Sequence, residues 1–384
     1  MQRDLTPDVL RGFALLGILV VNIQFMGLDS EQGARGDWLA GPLNGTTGFL
    51  VAALFAGKFY LLFSFLYGYS SSYIVKNQRE NRGRWVKRCF TLMLFGIFHF
   101  TFLWHGDIIF TYGLLGLLLL AFFFRSDKTL KIWTRVIFIL STVLISVAGI
   151  SLLIGERFFP QDTAPEIMES QLNRVLLAGT FVQSIEPRLE LWTIGFVSGL
   201  FLQGGMAFAA FLLGVRLARN NFLTGPLDWV QNSRMIRRGL LFGIPIQFLF
   251  GFILVRNEQS IEPSEALYLC CLFVAFVTAP LLSMVYIGVV RAVLEHRPEL
   301  LTWMKPAGRM SLTVYISQSI VTSFIFGPWG LGLFQDLQMW QIFVVAIVVW
   351  LVLVYLCTLW LNKYKQGPLE SVLSRMTQSR KSIT

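Results

Sequence analysis

Ten apolar runs recur along the chain between short clusters of charge, at 9–27, 57–76, 85–104, 107–124, 132–154, 191–216, 236–256, 264–290, 309–327 and 339–362. Runs of roughly 20 residues match the hydrocarbon thickness of a bilayer at the rise of an α-helix. They lack the apolar–polar alternation of a barrel strand. Because a backbone in lipid must satisfy its own hydrogen bonds, the pattern predicts an all-α, polytopic membrane helix bundle of about ten transmembrane helices. A shorter apolar stretch, 47–56, is expected as an interfacial or re-entrant helix on the outer side. The 155–190 outer loop holds an amphipathic stretch near Ile167–Leu177, expected as a second surface helix. No internal repeat is visible, so residues 1–384 read as a single integral membrane domain with 363–384 as a cytoplasmic tail.

The charges between runs orient this bundle. Lys76, Arg79, Arg82, Arg84, Lys87 and Arg88 crowd one connection against Glu80 alone, and Arg125, Lys128, Lys131 and Arg135 crowd another against Asp127. The 155–190 connection turns acidic, with Glu156, Asp162, Glu166, Glu169, Glu186 and Glu190 against Arg157, Arg174 and Arg188. Basic residues return at 216–238, acids at Glu258 and Glu262, and bases again at 291–309 and in the tail, ending with Arg380 and Lys381. A miscounted helix would invert every later loop, so the alternation supports ten crossings. The positive-inside rule then predicts both termini in the cytoplasm.

Composition changes little except to exclude. Apolar residues make up 55% and charged residues 14%, with a mean hydropathy of +0.62, too few charges to coat a soluble surface. The net charge of +10 follows from cytoplasmic loops holding topology, so no nucleic-acid partner is expected. Cys89, Cys270, Cys271 and Cys357 all fall in apolar runs without a CxxC or a His/Cys cluster, so neither a disulfide framework nor a metal site is expected. The first apolar run has no small-residue cleavage site after it and reads as a retained signal anchor.

Candidate chemistry comes from polar residues at membrane depth, which are costly there. With the orientation above, Asn22 lies about one turn below the outer end of the first span and Lys58 at the outer start of the second. His99 lies about one turn inside the outer surface on the third span, and Asp107 opens the fourth. A two-residue turn, His105 and Gly106, would make the third and fourth spans a tight hairpin. In that setting Asp107 can orient the His99 ring, leaving the second nitrogen to take a proton from a hydroxyl or amine. The same pair can instead simply tie the hairpin, with Lys58 neutralising Asp107. His105 and His296 read as solvated loop residues.

In the ninth run, Ser311, Tyr315, Gln318 and Thr322 follow helical spacing and form one polar face, which Gln203 of the sixth run is placed to meet. That face reads either as cavity lining or as interhelical hydrogen bonding. At the cytoplasmic end, Arg11 and Arg309 join Arg84, Lys87 and Arg88. They form either a phosphate-binding set or a topological one.

The segments LRGFALLGILVVNI (10–23), KFYLLFSFLYGYS (58–70), GIFHFTFLWHGDIIFTYGLLG (96–116), AGRMSLTVYISQS (307–319) and QGPLESVLSRMT (366–377) resemble the YeiB-like family of bacterial inner-membrane proteins, in the same order from end to end. That family is distantly similar to membrane acyltransferases of the heparan-glucosaminide acetyltransferase type. The resemblance implies a multi-pass protein of the bacterial inner membrane. It also implies acyl transfer from cytosolic acyl-CoA, as co-substrate and without a metal, to an envelope acceptor across the membrane. His99 is then the general base, Asp107 its orienting partner, and Asn22 or Lys58 the oxyanion stabiliser. Ser311, Tyr315, Gln318 and Gln203 line the donor path, and Arg11 and Arg309 hold the CoA phosphates. The rival expectation is a transporter or lipid-handling protein using the same groups without covalent chemistry.

Overall fold

The structure, a computed structural model, describes residues 5–159 and 170–377. Residues 167–169 of the amphipathic stretch, the acids Asp162, Glu166 and Glu169, and Arg380 and Lys381 of the tail lie outside the described residues. The regular secondary structure of the described residues is helical, without a strand. In chain order the helices are α1 (Leu5–Asn22), α2 (Gln24–Gly27), α3 (Pro42–Leu50), α4 (Lys58–Val75), α5 (Arg82–Phe102) and α6 (Ile109–Leu119). They continue with α7 (Asp127–Phe158), α8 (Gln171–Ala178), α9 (Ile185–Gly199), α10 (Gly205–Arg219), α11 (Trp229–Arg238) and α12 (Ile244–Glu258). The last are α13 (Glu265–His296), α14 (Lys305–Arg309), α15 (Ser311–Phe326), α16 (Met339–Lys363) and α17 (Pro368–Thr377).

Seven helical stretches are long and apolar enough to cross a membrane: α1, Pro42–Val75, α7, Ile185–Arg219, Trp229–Glu258, α13 and α16. The other three expected spans coincide with α5, α6 and α15. The 11 residues of α6 and the 16 of α15 are short for a bilayer, and α5 carries Arg82, Arg84, Lys87 and Arg88 in its first turns. These three are also the helices around the polar site described below. The exposed side of α7, with Ile132, Ile139, Val143, Val147 and Ile150, presents an apolar band suited to lipid.

Inter-loop contacts sort the connections into two ends. At one end Arg309 donates to the Lys365 carbonyl, Arg219 to the Arg125 and Phe123 carbonyls, and the Leu223 amide to Tyr69 Oη. At the opposite end Ser30 pairs with Asn173, Gln259 with the Leu39 carbonyl, and Arg188 with the Phe102 carbonyl. There too, Arg35 bridges Glu258 at 3.0 Å and Glu265 at 2.7 Å. Burial opposes the Arg35 charge, but the two carboxylates outweigh it and hold its pKa above the ordinary value. Arg125, Arg219, Arg309 and Lys365 thus share the first end, and Glu258 and Glu265 lie at the second with Arg35 and Arg188.

Residues 42–75 depart from expectation. The helix from Pro42 passes through a π-helical turn, Val51–Phe55, and stops at Gly57, whose φ of +79° needs no Cβ. The chain then resumes as α4. Phe49 packs on Phe248, and Ala53 lies against Gly251, so this half-helix runs alongside α12 into the bundle. Lys58 therefore sits at a break inside a 34-residue apolar stretch, not at the outer start of a span. Its ammonium donates to the Ala52 carbonyl at 2.8 Å and to Gln247 at 2.6 Å, which satisfies the helix break rather than Asp107.

Small residues set the tightest crossings, as expected where lipid gives no hydrophobic push between helices. Gly12 of α1 meets the Met304 carbonyl, and Gly308 of α14 meets the Asp8 carbonyl. A Cβ on Gly308 would overlap backbone that cannot swing away. Gly308→Val is expected to destabilise by about 1–3 kcal/mol, read as a lower Tm of the detergent-solubilised protein. Gly83→Ala, which faces open space, should leave Tm unchanged or slightly raised. Equal Tm values for wild type and Gly308→Val would contradict the crossing described.

Candidate functional site: a buried Ser-His-Asp cluster between two cavities

Helices α5 and α6 form an antiparallel hairpin whose facing surfaces meet at Gly96, which lies against the Phe110 backbone. The connection is longer than two residues. Helix α5 ends at Phe102 and α6 starts at Ile109, leaving six residues, 103–108, between them. The Leu103 and Trp104 amides both close on the His99 carbonyl, at 2.8 and 3.0 Å. Asp107 lies in this connection, and its Oδ2 accepts the Phe110 amide at 2.7 Å, capping the free end of α6. The cap fixes the carboxylate, and its other oxygen, Oδ1, reaches 2.9 Å from His99 Nδ1.

His99 is fully buried, and Asp107 is 9% exposed. Their contact is close, and both atoms are enclosed with no other partner among the described residues. On the other side of the ring, His99 Nε2 lies 2.8 Å from Ser319 Oγ of α15. With the proton on Nδ1 facing Asp107, Nε2 is the acceptor and the Ser319 hydroxyl donates to it. Serine, histidine and aspartate thus line up in the order that activates a hydroxyl.

The cluster stands between two spaces. A cavity of about 690 Å³ opens at the basic end among Arg11, Arg88, Arg309 and Glu370 and reaches Tyr112, Ile108 and Tyr315. Ile108 follows Asp107 in the chain, and the Tyr315 ring lies 5.0 Å from the His99 ring. A smaller pocket of about 30 Å³ on the opposite side is lined by Ser319, Thr322, Trp104, His105 and Arg188, with Leu172 and Leu176 of α8 over it. Tyr315 and Ser319 are one helical turn apart on α15, so His99 touches the residue that ends one space and the residue that lines the other.

Other expected site residues divide. Ser311 and Tyr315 line the large cavity. Gln318 turns to α1, donating to the Leu15 carbonyl at 3.1 Å, and Thr322 donates to the Gln318 carbonyl at 2.8 Å. The polar face of α15 is therefore part cavity lining and part interhelical bonding, not one continuous channel. Gln203 sits in a π-helical turn, Leu200–Gly204, that packs on α6, α7 and α9 rather than on α15. Asn22 ends α1 half-buried, and Lys58 serves the break before α4, so neither is joined to His99 by a hydrogen bond.

At the cavity mouth Arg11 pairs with Asp8 at 2.6 Å and also donates to Ser70. Arg88 Nε and Arg309 Nε are enclosed with no hydrogen-bond partner among the described residues. Glu370 of α17 accepts the Leu312 and Thr313 amides at 2.8 and 3.1 Å, capping α15 and closing the cavity wall.

Three residues escaped the sequence reading. Ser319 lies eight residues after Ser311, on the same helical face, and would have emerged from extending that spacing. Arg188 reads as a loop charge, yet it is 3% exposed and stacks near Phe181 and Trp329. His105 is not solvated. Its Nδ1 is enclosed, and burial, then the Arg188 charge, push its pKa from 6.5 down to about 4 against a bond the ring donates to the Ser30 backbone. His296 is exposed but stacks on Trp229 at 4.8 Å.

Because the folded His105 resists protonation, its stabilising contribution is complete above pH 6.5 and is lost as pH falls through about 4. Wild-type Tm in detergent should therefore fall more steeply between pH 6.5 and 4 than that of His105→Gln, which lacks the proton-binding group. Parallel curves for the two proteins would contradict the enclosed setting of this ring.

Residues 217–380 match a family model described as "Protein of unknown function (DUF418)", a segment that contains Ser319 but lies beyond His99 and Asp107. Over nearly its full length the chain is 28% identical to the "Uncharacterized protein YxaH" of Bacillus subtilis (strain 168), covering 94% of this chain and 91% of that one. It is 26% identical to the "Uncharacterized protein YeiB" of Escherichia coli (strain K12), covering 98% and 97%. A Bacillus acidopullulyticus relative, "Uncharacterized 39.9 kDa protein in amylase 3'region", is 26% identical over 99% and 95%. The chain is thus similar from end to end to the YxaH and YeiB proteins, and its residues 217–380 match the family model.

Proposed function

We propose that the protein is a transmembrane acyltransferase, taking an acyl group from acyl-CoA at the basic end and delivering it to a hydroxyl or amine at the opposite end. One observation carries this reading: a cavity of about 690 Å³ runs from a mouth with Arg11, Arg88 and Arg309 to Tyr315, against the buried His99–Asp107 pair. By the positive-inside rule the basic end faces the cytoplasm, where acyl-CoA is made. The host membrane is then the bacterial inner membrane. The mouth suits a phosphate-bearing ligand, since Arg88 Nε and Arg309 Nε lie enclosed without an acceptor among the described residues. The apolar walls beyond, Phe63, Leu66 and Leu92 among them, suit a pantetheine arm and acyl chain.

Chemistry follows from the pair. Asp107 holds the imidazole with Nε2 free to accept a proton, so His99 serves as general base. Exclusion of water from this enclosed site protects the acyl group from hydrolysis and strengthens each charge interaction. Neither Asn22 nor Lys58 is needed for this step.

Purified protein incubated with labelled acetyl-CoA and envelope-type acceptors tests the reading. Transfer is expected, with His99→Ala lowering kcat by about 10²–10⁴-fold. Arg88→Ala and Arg309→Ala should raise KM for the CoA donor more than they lower kcat. Wild-type turnover in His99→Ala would remove His99 from the mechanism, and solute flux in liposomes without any acyl donor would favour transport over transfer.

A further inference from the structure

We propose that Ser319 is a nucleophile that carries the acyl group covalently between donor and acceptor. The inference rests on the acyl-transfer reading above and specifies how the two ends communicate. Three observations support it. Ser319 Oγ already occupies His99 Nε2, at 2.8 Å, so the first proton this base can take is the serine's own. Ser319 is 2% exposed, in a place where an idle hydroxyl gains nothing from water. It also lines the opposite-end pocket, whereas Tyr315, one turn before it, ends the donor cavity.

Direct transfer would require the thioester, the acceptor and the imidazole to meet at once around Nε2. The space beside Ser319 on the acceptor side is about 30 Å³, which holds on the order of one water molecule. A covalent relay removes that demand, because donor and acceptor visit the same serine in turn.

The steps balance without oxidant, reductant or metal. In the first, Ser319 Oγ attacks the thioester carbonyl carbon, the O–C bond forms and the C–S bond breaks. The serine proton passes through His99 Nε2 to the departing thiolate, which leaves as the CoA thiol. In the second, an acceptor hydroxyl or amine attacks the ester carbonyl and gives its proton to His99. The new bond forms, the Ser319 O–C bond breaks, and His99 returns the proton to Oγ. Asp107 is the positioning residue that stabilises the imidazolium in both steps.

The test uses full-length protein in detergent with labelled acetyl-CoA and no acceptor, followed by proteolysis and mass spectrometry. One acetyl increment is expected on the peptide bearing Ser319, absent in Ser319→Ala and His99→Ala. Ser319→Cys should carry the adduct as a hydroxylamine-labile thioester, a readout independent of how well Ser319→Ala folds. Ser319→Ala should lose transfer by about 100-fold or more while its Kd for CoA stays unchanged. An unlabelled wild-type Ser319 peptide with full transfer by Ser319→Ala overturns the relay but leaves acyl transfer standing. An adduct on His99 instead also overturns it. No transfer and no adduct in any protein overturns both readings.

Discussion

A histidine and a carboxylate inside the hydrophobic thickness must find partners within the protein, because lipid offers none. Here Asp107 accepts the Phe110 amide with one oxygen and faces His99 with the other, while His99 reaches across to Ser319. That chain of contacts dictates much of the surrounding architecture. Helices α5 and α6 must turn sharply enough to bring residues 99 and 107 together. Helix α15 must then approach the hairpin closely enough to supply a hydroxyl. Its entry is fixed in turn by Glu370, which caps α15 from the last described helix. The C-terminal segment thus bears directly on the position of Ser319. A buried pair left without one member would expose the other to the full desolvation cost, so the cluster holds or fails as a unit.

Depth gives the arrangement its direction. The large cavity approaches from the basic end and stops at Tyr315, and the small pocket approaches from the other end and stops at Ser319. An aqueous pore would join the two. Instead the two spaces share no lining residue, and the His99 and Tyr315 rings, with centroids 5.0 Å apart, lie where they approach. Gln318, which a channel would need as lining, turns instead to α1 and the Leu15 carbonyl.

Much of this was legible in the sequence because membrane burial leaves strong marks. Apolar runs located the helices, and His99 and Asp107 stood out as ionisable residues in apolar surroundings. What stayed hidden depends on local backbone geometry. The break at Gly57 moves Lys58 inward and gives it to Gln247, which no hydropathy pattern encodes. Likewise, the length of the 103–108 turn follows from the Leu103 and Trp104 amides closing on His99, and it encloses His105 instead of solvating it. Ser319 was passed over because a serine costs little in a membrane helix and signals function only through its neighbour. Arg188 was read as one loop charge among several, although α9 carries it into the bundle.

The central claim is that the large cavity delivers an acyl donor to the Ser319–His99–Asp107 cluster. A cryo-electron microscopy structure with a non-hydrolysable acyl-CoA analogue tests it most directly. The account predicts the phosphates beside Arg88 and Arg309 and the carbon equivalent to the thioester carbonyl within reach of Ser319 Oγ and His99 Nε2. Density for the analogue outside this cavity, or inside it with the acyl group turned away from His99, would contradict the account.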